Sequence, residues 1–190
     1  PLAAWASCDD ALRGLRELDF QSDHALMCFP RILAFDRLRG RYESFANGGA
    51  VAGVLARMDE QRSPWHPGPD DELLLRPGTR ATLLLADAQR SRLAAHGINS
   101  LQSLRTAVER RLPLRTLAGG TGRSAESSLL TSRRRALLVM GSIERGTRWA
   151  VFDAGDRGAW HKITRQVQDF LRPLAEAGIF GVGDPAAAFY

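Results

Sequence analysis

The segment AWHKITRQVQDFLRPLAEAG, residues 159–178, has the clearest periodicity in the chain. Its larger apolar side chains recur at spacings of three and four residues, which places them along one face of a helix: Trp160, Ile163, Val167, Phe170 and Leu174. Pro173 is expected to kink this helix or end it early, and Gly178 to follow its end. The segment therefore predicts a helix that packs an apolar stripe against a core.

The residues just before this helix, 148–158, have the sequence RWAVFDAGDRG. Trp149–Phe152 predicts a short buried strand, Asp153–Asp156 a turn, and Trp160 an anchor that holds the helix to the same core. Asp153, Asp156 and His161 suggest an acid–base set, but aspartates before a helix commonly accept hydrogen bonds from its first N–H groups. We therefore expect no catalytic residues here.

Further helices are expected towards the N-terminus. Ser7 and Asp10 resemble a capping box and predict a helix from Ser7 to about Asp19. Val51, Val54, Leu55 and Met58 define an amphipathic helix within FANGGAVAGVLARMDE, residues 45–60. The glycines at its start lack the pattern of a phosphate or dinucleotide loop and are expected to allow close packing: Gly48, Gly49 and Gly53.

The remaining elements are shorter. The apolar run 25–35 predicts one buried strand with Pro30 at its edge or at a bulge. Thr82–Leu85 predicts a second strand, followed by a helix with Asp87 as a possible N-cap and Gly97 at its C-terminal end. Arg133–Met140 favours a helix. Residues 62–71 and 118–132 are expected to be loops, and residues 1–190 a single domain of the α/β (α+β) class, a mixed sheet flanked by helices.

Composition restricts the function classes. The formal net charge is +5 and the pI about 10.2, yet Lys162 is the only lysine and many arginines alternate with acids, as on a solvated surface. There is no zinc-finger spacing, and the four histidines are scattered: His24, His66, His96 and His161. Cys8 and Cys28 form no disulfide framework and suggest a reducing environment. We expect no metal, no cofactor and no membrane span.

Six stretches, in order, resemble the C-terminal domain of contractile tail sheath proteins from about residue 25 to the end. They are HALMCFPRILAFD (24–36), GGAVAGVLARMDEQRSPW (48–65), LAAHGINSL (93–101), LRTLA (114–118), RRRALLVMGSIERGTRWAVFDAGDRGAW (133–160) and FLRPLAEAGIFGVGDPAAAFY (170–190). These proteins form the sheaths of contractile phage tails, R-type bacteriocins and extracellular contractile injection systems. Leu112-Pro113-Leu114 departs from the Trp-Gly that the family carries there.

The resemblance implies a structural, non-enzymatic subunit in the inner, C-terminal domain fold of the sheath. Such a subunit polymerises helically around an inner tube and contracts to drive the tube through a target envelope. Its implied partners are copies of itself, the tube protein, and baseplate and cap components, with no membrane or nucleic acid. Assembly in the bacterial cytoplasm is implied, as part of a phage tail or an extracellular contractile particle.

Family members also carry N- and C-terminal arms that add strands to the sheets of neighbouring subunits. We expect both arms to be absent from this sequence and the sequence to be a fragment of a longer product. The candidate tube-facing or intersubunit residues are basic and lie on predicted helices: Lys162, Arg165 and Arg172, then Arg133 and Arg134. Two alternatives stay open: a sheath-like cap or minor component, and an arginine-rich nucleic-acid-binding domain, which steep salt dependence would reveal.

Overall fold

The computed structural model describes residues 5–62, 75–101, 112–118, 128–153 and 155–180. Over these residues the helices are α1 (Cys8–Leu18), α2 (Gly48–Arg62), α3 (Asp87–Ala95), α4 (Leu130–Gly146) and α5 (Arg157–Glu176). A 3-10 helix, Arg148–Phe152, precedes α5. The strands are β1 (Met27–Phe29), β2 (Ile32–Asp36), β3 (Arg41–Phe45), β4 (Thr79–Ala81) and β5 (Ile98–Ser100). The predicted α/β class is confirmed.

The strands form two small sheets. β1 and β5 pair in parallel, with Met27 opposite Ile98, and β3, β2 and β4 form an antiparallel sheet in that order. The predicted single strand over 25–35 is therefore wrong, because it is two strands in different sheets. Proline has no N–H to continue a ladder, and the chain changes sheet at the cis Phe29–Pro30 bond. The Asn47 side chain donates to the carbonyl oxygens of Cys28 and Pro30, at 2.7 and 2.8 Å, and holds this corner.

Two apolar clusters make the core of the first 133 residues. One surrounds α2 and comprises Ile32, Val51, Val54, Leu75, Leu101 and Leu114. The other lies between α1, α3 and the parallel pair and comprises Cys8, Ala11, Leu12, Phe29, Leu93 and Ile98. Leu55 and Met58 pack against the first cluster, so the predicted amphipathic face of α2 is confirmed.

Some helix ends follow the sequence signals and others do not. Ser7 is the N-cap of α1 and its side chain accepts from the backbone N–H of Asp10. α3 begins at Asp87 with Ala86 in the N-cap position, so the prediction of Asp87 as the N-cap is wrong and this acid lies in the first turn of the helix. Gly97 follows the end of α3 with φ +80, as predicted. α5 runs through Pro173 to Glu176, without ending early, and Gly178 (φ +76) comes after it.

Three finer predictions are wrong. The strand near Thr82–Leu85 is three residues earlier, at Thr79–Ala81, because Ala81 pairs with Ile32 of β2. A Cβ atom added at Gly48, Gly49 or Gly53 would meet no heavy atom within 4 Å among the described residues, so within that part of the chain these glycines have no close packing partner. The loop predicted over 118–132 ends where α4 begins, at Leu130; residues 119–127 lie outside the described residues, as do residues 63–71 of the other predicted loop.

The chain forms two compact units, residues 1–133 and 134–190. The first contains both sheets and α1–α3, and the second contains most of α4, the 3-10 helix and α5. Whether the whole chain acts as one domain stays a prediction. Within the described ranges, no helix combines the length and apolar character needed to cross a membrane.

Candidate interaction surfaces

α5 carries the predicted basic residues, and its N-cap and buried side determine which residues it leaves exposed. Asp156 is the N-cap, and its Oδ1 accepts from the backbone N–H of Ala159 at 2.8 Å. The side of α5 that packs inward carries buried Ala159, Leu171 and Ala175 and the partly buried Ile163, Val167, Phe170 and Leu174. This confirms most of the predicted stripe.

Trp160 is the exception to that stripe. It is 65% exposed, so the prediction that it anchors α5 to a core is wrong. The buried side of α5 carries Leu171 and Ala175 near its C-terminal end and the small side chain of Ala159 in its first turn.

Lys162, Arg165 and Arg172 lie along one side of α5, at spacings of three and seven residues, and are all exposed. Lys162 Nζ lies 3.7 Å from Asp153 Oδ2, and Arg165 Nε lies 4.0 Å from Asp169 Oδ2. The side chain of Arg165 is 86% exposed, so its pair with Asp169 is a weak surface contact. The stripe therefore presents three cations and one acid to solvent.

Arg133 and Arg134 lie in the first turns of α4 but differ in surroundings. The Arg133 side chain is only 17% exposed; its Nε lies 3.3 Å from Asp23 Oδ2, and its guanidinium also contacts His24. Arg134 is half-buried in the second unit. Arg133 is thus engaged within the first unit, whereas the three basic residues of α5 are open to solvent.

The segment before α5 differs most from the sequence prediction. Trp149–Phe152 belongs to the 3-10 helix and is not a buried strand; Val151 and Phe152 are 82% and 93% exposed. Side-chain bonds hold the turn to α5, since Trp149 Nε1 donates to Gln166 Oε1 at 2.8 Å and Gln166 Nε2 donates to the Gly146 carbonyl at 3.0 Å. These long-range polar bonds favour a compact turn over an extended strand.

The possible acid–base set has structural roles. Asp156 caps α5, Asp153 pairs with Lys162, and His161 is exposed on the first turn of the helix. Among the described residues, no group of three or more His, Cys, Asp or Glu side chains converges to hold a metal ion. His66 lies outside the described residues.

Sequence reasoning missed two polar residues in the first unit. Asn99, 5% exposed, donates from Nδ2 to the carbonyl oxygens of Met27 and Arg115, and its Oδ1 accepts from the Arg115 backbone N–H at 2.7 Å. Asn47 similarly donates hydrogen bonds to backbone carbonyl groups on both sides of the cis Phe29–Pro30 bond. The local sequence offers one signal for a buried, hydrogen-bonded asparagine, which is its place between isoleucine and serine in the short strand β5.

The β2–β3 hairpin was also missed as a surface feature. Phe35 and Tyr42 form an edge-on aromatic pair with ring centroids 5.5 Å apart, and the Arg80 guanidinium lies 5.5 Å from the Tyr42 ring centre. Both rings are about half exposed. At the tip of this hairpin, Leu38 is 98% exposed.

No family model and no curated protein matches the sequence. Among solved structures, a chain of the PVC sheath complex, an extracellular contractile injection system in its contracted state, matches with a TM-score of 0.72 and 17% identity. A chain of the anti-feeding prophage (AFP) baseplate matches with a TM-score of 0.67 and 19% identity. The matches cover 95% and 87% of this chain, but only 48% and 43% of the other chains. This chain therefore has the fold of somewhat less than half of a chain found in the sheath and baseplate structures of contractile injection systems.

Proposed function

We propose that the chain is the inner, C-terminal domain of a structural sheath subunit that polymerises helically around an inner tube. On this proposal contraction of the sheath drives the tube through a target envelope, and the subunit is not an enzyme. The observation that carries it is the fold match to the PVC sheath complex over 95% of this chain. The order of the six sequence stretches that resemble sheath proteins supports the same assignment.

The proposed partners follow from that role. They are further copies of the chain, the tube protein, and baseplate and cap components, assembled in the bacterial cytoplasm into a phage tail or extracellular particle. An open, heterologous contact between copies would give a helical tube instead of a closed ring. Energy for contraction is then held in subunit packing, and no nucleotide or metal is required.

Electron microscopy of the complete gene product, expressed alone and with its neighbouring tube protein, tests the assignment. Striated hollow tubes, or tubes with a sheath around them, are expected for a major sheath subunit. Monodisperse particles under both conditions would contradict it.

A sheath-like cap or minor component is the second candidate, and the match to the anti-feeding prophage baseplate favours it. A component of this kind binds the end of a sheathed tube without polymerising alone. Labelling of tube ends in micrographs, with no sheath along the length, is the result that distinguishes it from the major subunit.

We propose Lys162, Arg165 and Arg172 as the tube-facing residues, with Arg133 and Arg134 as further intersubunit candidates. The first three are exposed and share one side of α5 with a single acid, Asp169, so this side has a net positive charge that suits an acidic partner. Lys162→Glu with Arg165→Glu should weaken co-assembly with the tube. Arg148→Glu is the matched control, because the Arg148 side chain is 69% exposed in the same unit but lies outside the stripe. Equal co-assembly by both variants would contradict the assignment.

A further inference from the structure

The antiparallel sheet β3-β2-β4 has one face towards the core and one outer face. Side chains alternate between the two faces along each strand. Ile32 of β2 is 8% exposed and belongs to the cluster around α2, so it lies on the core face together with Ala34. Leu33 and Phe35 therefore lie on the outer face, where Phe35 is paired with Tyr42 of β3. Phe35 and Tyr42 are 51% and 55% exposed.

The sequence of β2 is that of a strand covered on both faces. An antiparallel strand with one solvated face usually alternates apolar and polar residues. Ile32–Phe35 has the sequence ILAF, a continuous apolar run, which is typical of a strand that is buried on both sides. Because Phe35 and Tyr42 are nevertheless half exposed, we expect a binding partner to cover the outer face.

Two arginines stand on the same face in fixed positions. Arg80 of β4 is paired with Leu33, and its Cζ lies 5.5 Å from the centre of the Tyr42 ring. A guanidinium stacked on a ring is held in place while its N–H groups stay available to a carboxylate. Arg31 donates from Nε to Ser44 Oγ at 3.0 Å and from Nη2 to the Ser44 carbonyl at 3.1 Å.

The positive charge of the outer face is not compensated by acids of the sheet. Among the described residues, no carboxylate pairs with Arg31 or Arg80, and both are held by neutral groups. The two acids of the β2–β3 hairpin, Asp36 and Glu43, lie on the other face, where both pair with Arg39. The partner of the outer face should therefore combine negative charge with apolar groups.

The geometry of the two rings favours a protein partner over a single-stranded nucleic acid. Sheets that bind single strands do so through open aromatic faces on which successive bases stack. Here Arg80 covers one face of the Tyr42 ring, and the Phe35 ring stands at 72° to that ring. The pair therefore offers no two parallel faces for neighbouring bases, whereas apolar side chains can pack against rings at any angle.

We propose that the outer face of β3-β2-β4 binds an acidic protein segment of a partner other than this chain. A carboxylate of the segment pairs with Arg80, and an apolar side chain packs on Phe35 and Leu33. A second copy suits the face less well, because this chain has a formal net charge of +5. The inference adds a binding surface beyond the proposed function and does not rest on it.

Fluorescence anisotropy of the full chain with a short labelled peptide, rich in glutamate and leucine, tests the surface. The same peptide with glutamine in place of glutamate should bind at least about tenfold more weakly, since it lacks the carboxylates. Arg80→Gln should weaken binding of the acidic peptide by about tenfold. Arg41→Gln is the matched control, because it removes the same charge from the opposite face of β3, where the Arg41 side chain is 70% exposed. It should bind like the unmodified chain.

Phe35→Thr tests the apolar part of the surface. Threonine keeps the preference for a strand but removes the ring, so binding should fall by about tenfold while the far-UV circular dichroism stays unchanged. Undiminished binding by a folded Phe35→Thr variant would contradict the proposed packing on this ring.

Four further results would overturn the inference. They are no binding of the acidic peptide, equal binding of the glutamine peptide, equal loss in Arg80→Gln and Arg41→Gln, and tighter binding of a labelled single-stranded oligothymidine that depends on Arg80. The last result would assign the face to nucleic acid. None of these bears on the sheath assignment, which is tested separately by whether the complete gene product forms striated or sheathed tubes.

Discussion

Asn99 offers the sharpest test of how the first unit is held together. It is 5% exposed and makes three hydrogen bonds to the backbone, two to Arg115 and one to the Met27 carbonyl. Asn99→Ala leaves these buried groups without that partner. Each lost hydrogen bond should cost about 1 kcal/mol, and a buried group left unsatisfied can cost more than that. We therefore expect Asn99→Ala to lower the free energy of unfolding by about 3 kcal/mol.

The assay is urea-induced unfolding followed by far-UV circular dichroism. Gln168→Ala is the control, since it removes an exposed amide on α5 and should change the free energy of unfolding by less than about 0.5 kcal/mol. A change just as small for Asn99→Ala would refute the reasoning.

Asn99→Asp keeps the size and shape of the side chain but removes its N–H donors, so it tests the hydrogen bonds that Asn99 donates. The carboxyl group keeps the acceptor for the Arg115 N–H but faces two carbonyl oxygens that need donors. Folding should therefore raise the pKa of this carboxyl group, so that the folded state binds more protons than the unfolded state. Stability of this variant should then fall as the pH rises from about 4 to 7. The same fall in the unmodified chain would remove the support for this explanation.

Three further predictions concern local features. Gly97→Ala should lower the free energy of unfolding by about 2 kcal/mol, because φ is +80 and the new Cβ would lie 2.7 Å from the Thr116 carbonyl oxygen. Gly53→Ala, in open space on α2, should instead raise the free energy of unfolding by about 0.5–1 kcal/mol. Urea unfolding measures both, and a stabilised Gly97→Ala variant would contradict this reasoning. Asp156→Ala should cost about 1 kcal/mol through loss of the α5 cap and Asp156→Asn much less, as thermal melting would show. Cys28, whose pKa is raised to about 12 by burial, should react with iodoacetamide at pH 8 far more slowly than it does in urea, and equal rates would contradict its burial.

Elements with a strong local signal were predicted well. Ser7 and Asp10 identified the start of α1, and the spacing of Val51, Val54, Leu55 and Met58 identified α2. Both signals act within a few residues of the backbone they specify, so no knowledge of distant contacts was needed.

The errors fall where distant contacts decide the structure. The short apolar run Trp149–Phe152 has no period that separates a strand from a turn, and the bond from Trp149 to Gln166, 17 positions away, accompanies the turn. The position of β4 follows from its pairing with β2, and the change of sheet at Pro30 is held by Asn47, 17 positions on. None of these partners is visible in the local pattern.

The candidate surface was predictable only in part. The spacing of Lys162, Arg165 and Arg172 on one side of α5 followed from helical geometry, but the engagement of Arg133 with Asp23 did not. The ordered tip at Leu38 was also missed, because its exposure depends on a hairpin whose strands the apolar run at 25–35 concealed.

The parallel pairing of β1 with β5 has a consequence for the order in which the first unit folds. Asn99 reaches the Met27 carbonyl 72 positions earlier in the chain, and the contact also involves Arg115. Closure of so long a loop is entropically costly, so local elements such as α2 and the β2–β3 hairpin should form first. During synthesis, the parallel pair can form only after Ser100 has left the ribosome, and the hydrogen bonds of Asn99 to Arg115 only after Arg115 has done so. Until then β1 would have an unpaired edge, and this is the interval in which the nascent chain should be most prone to pair with other chains.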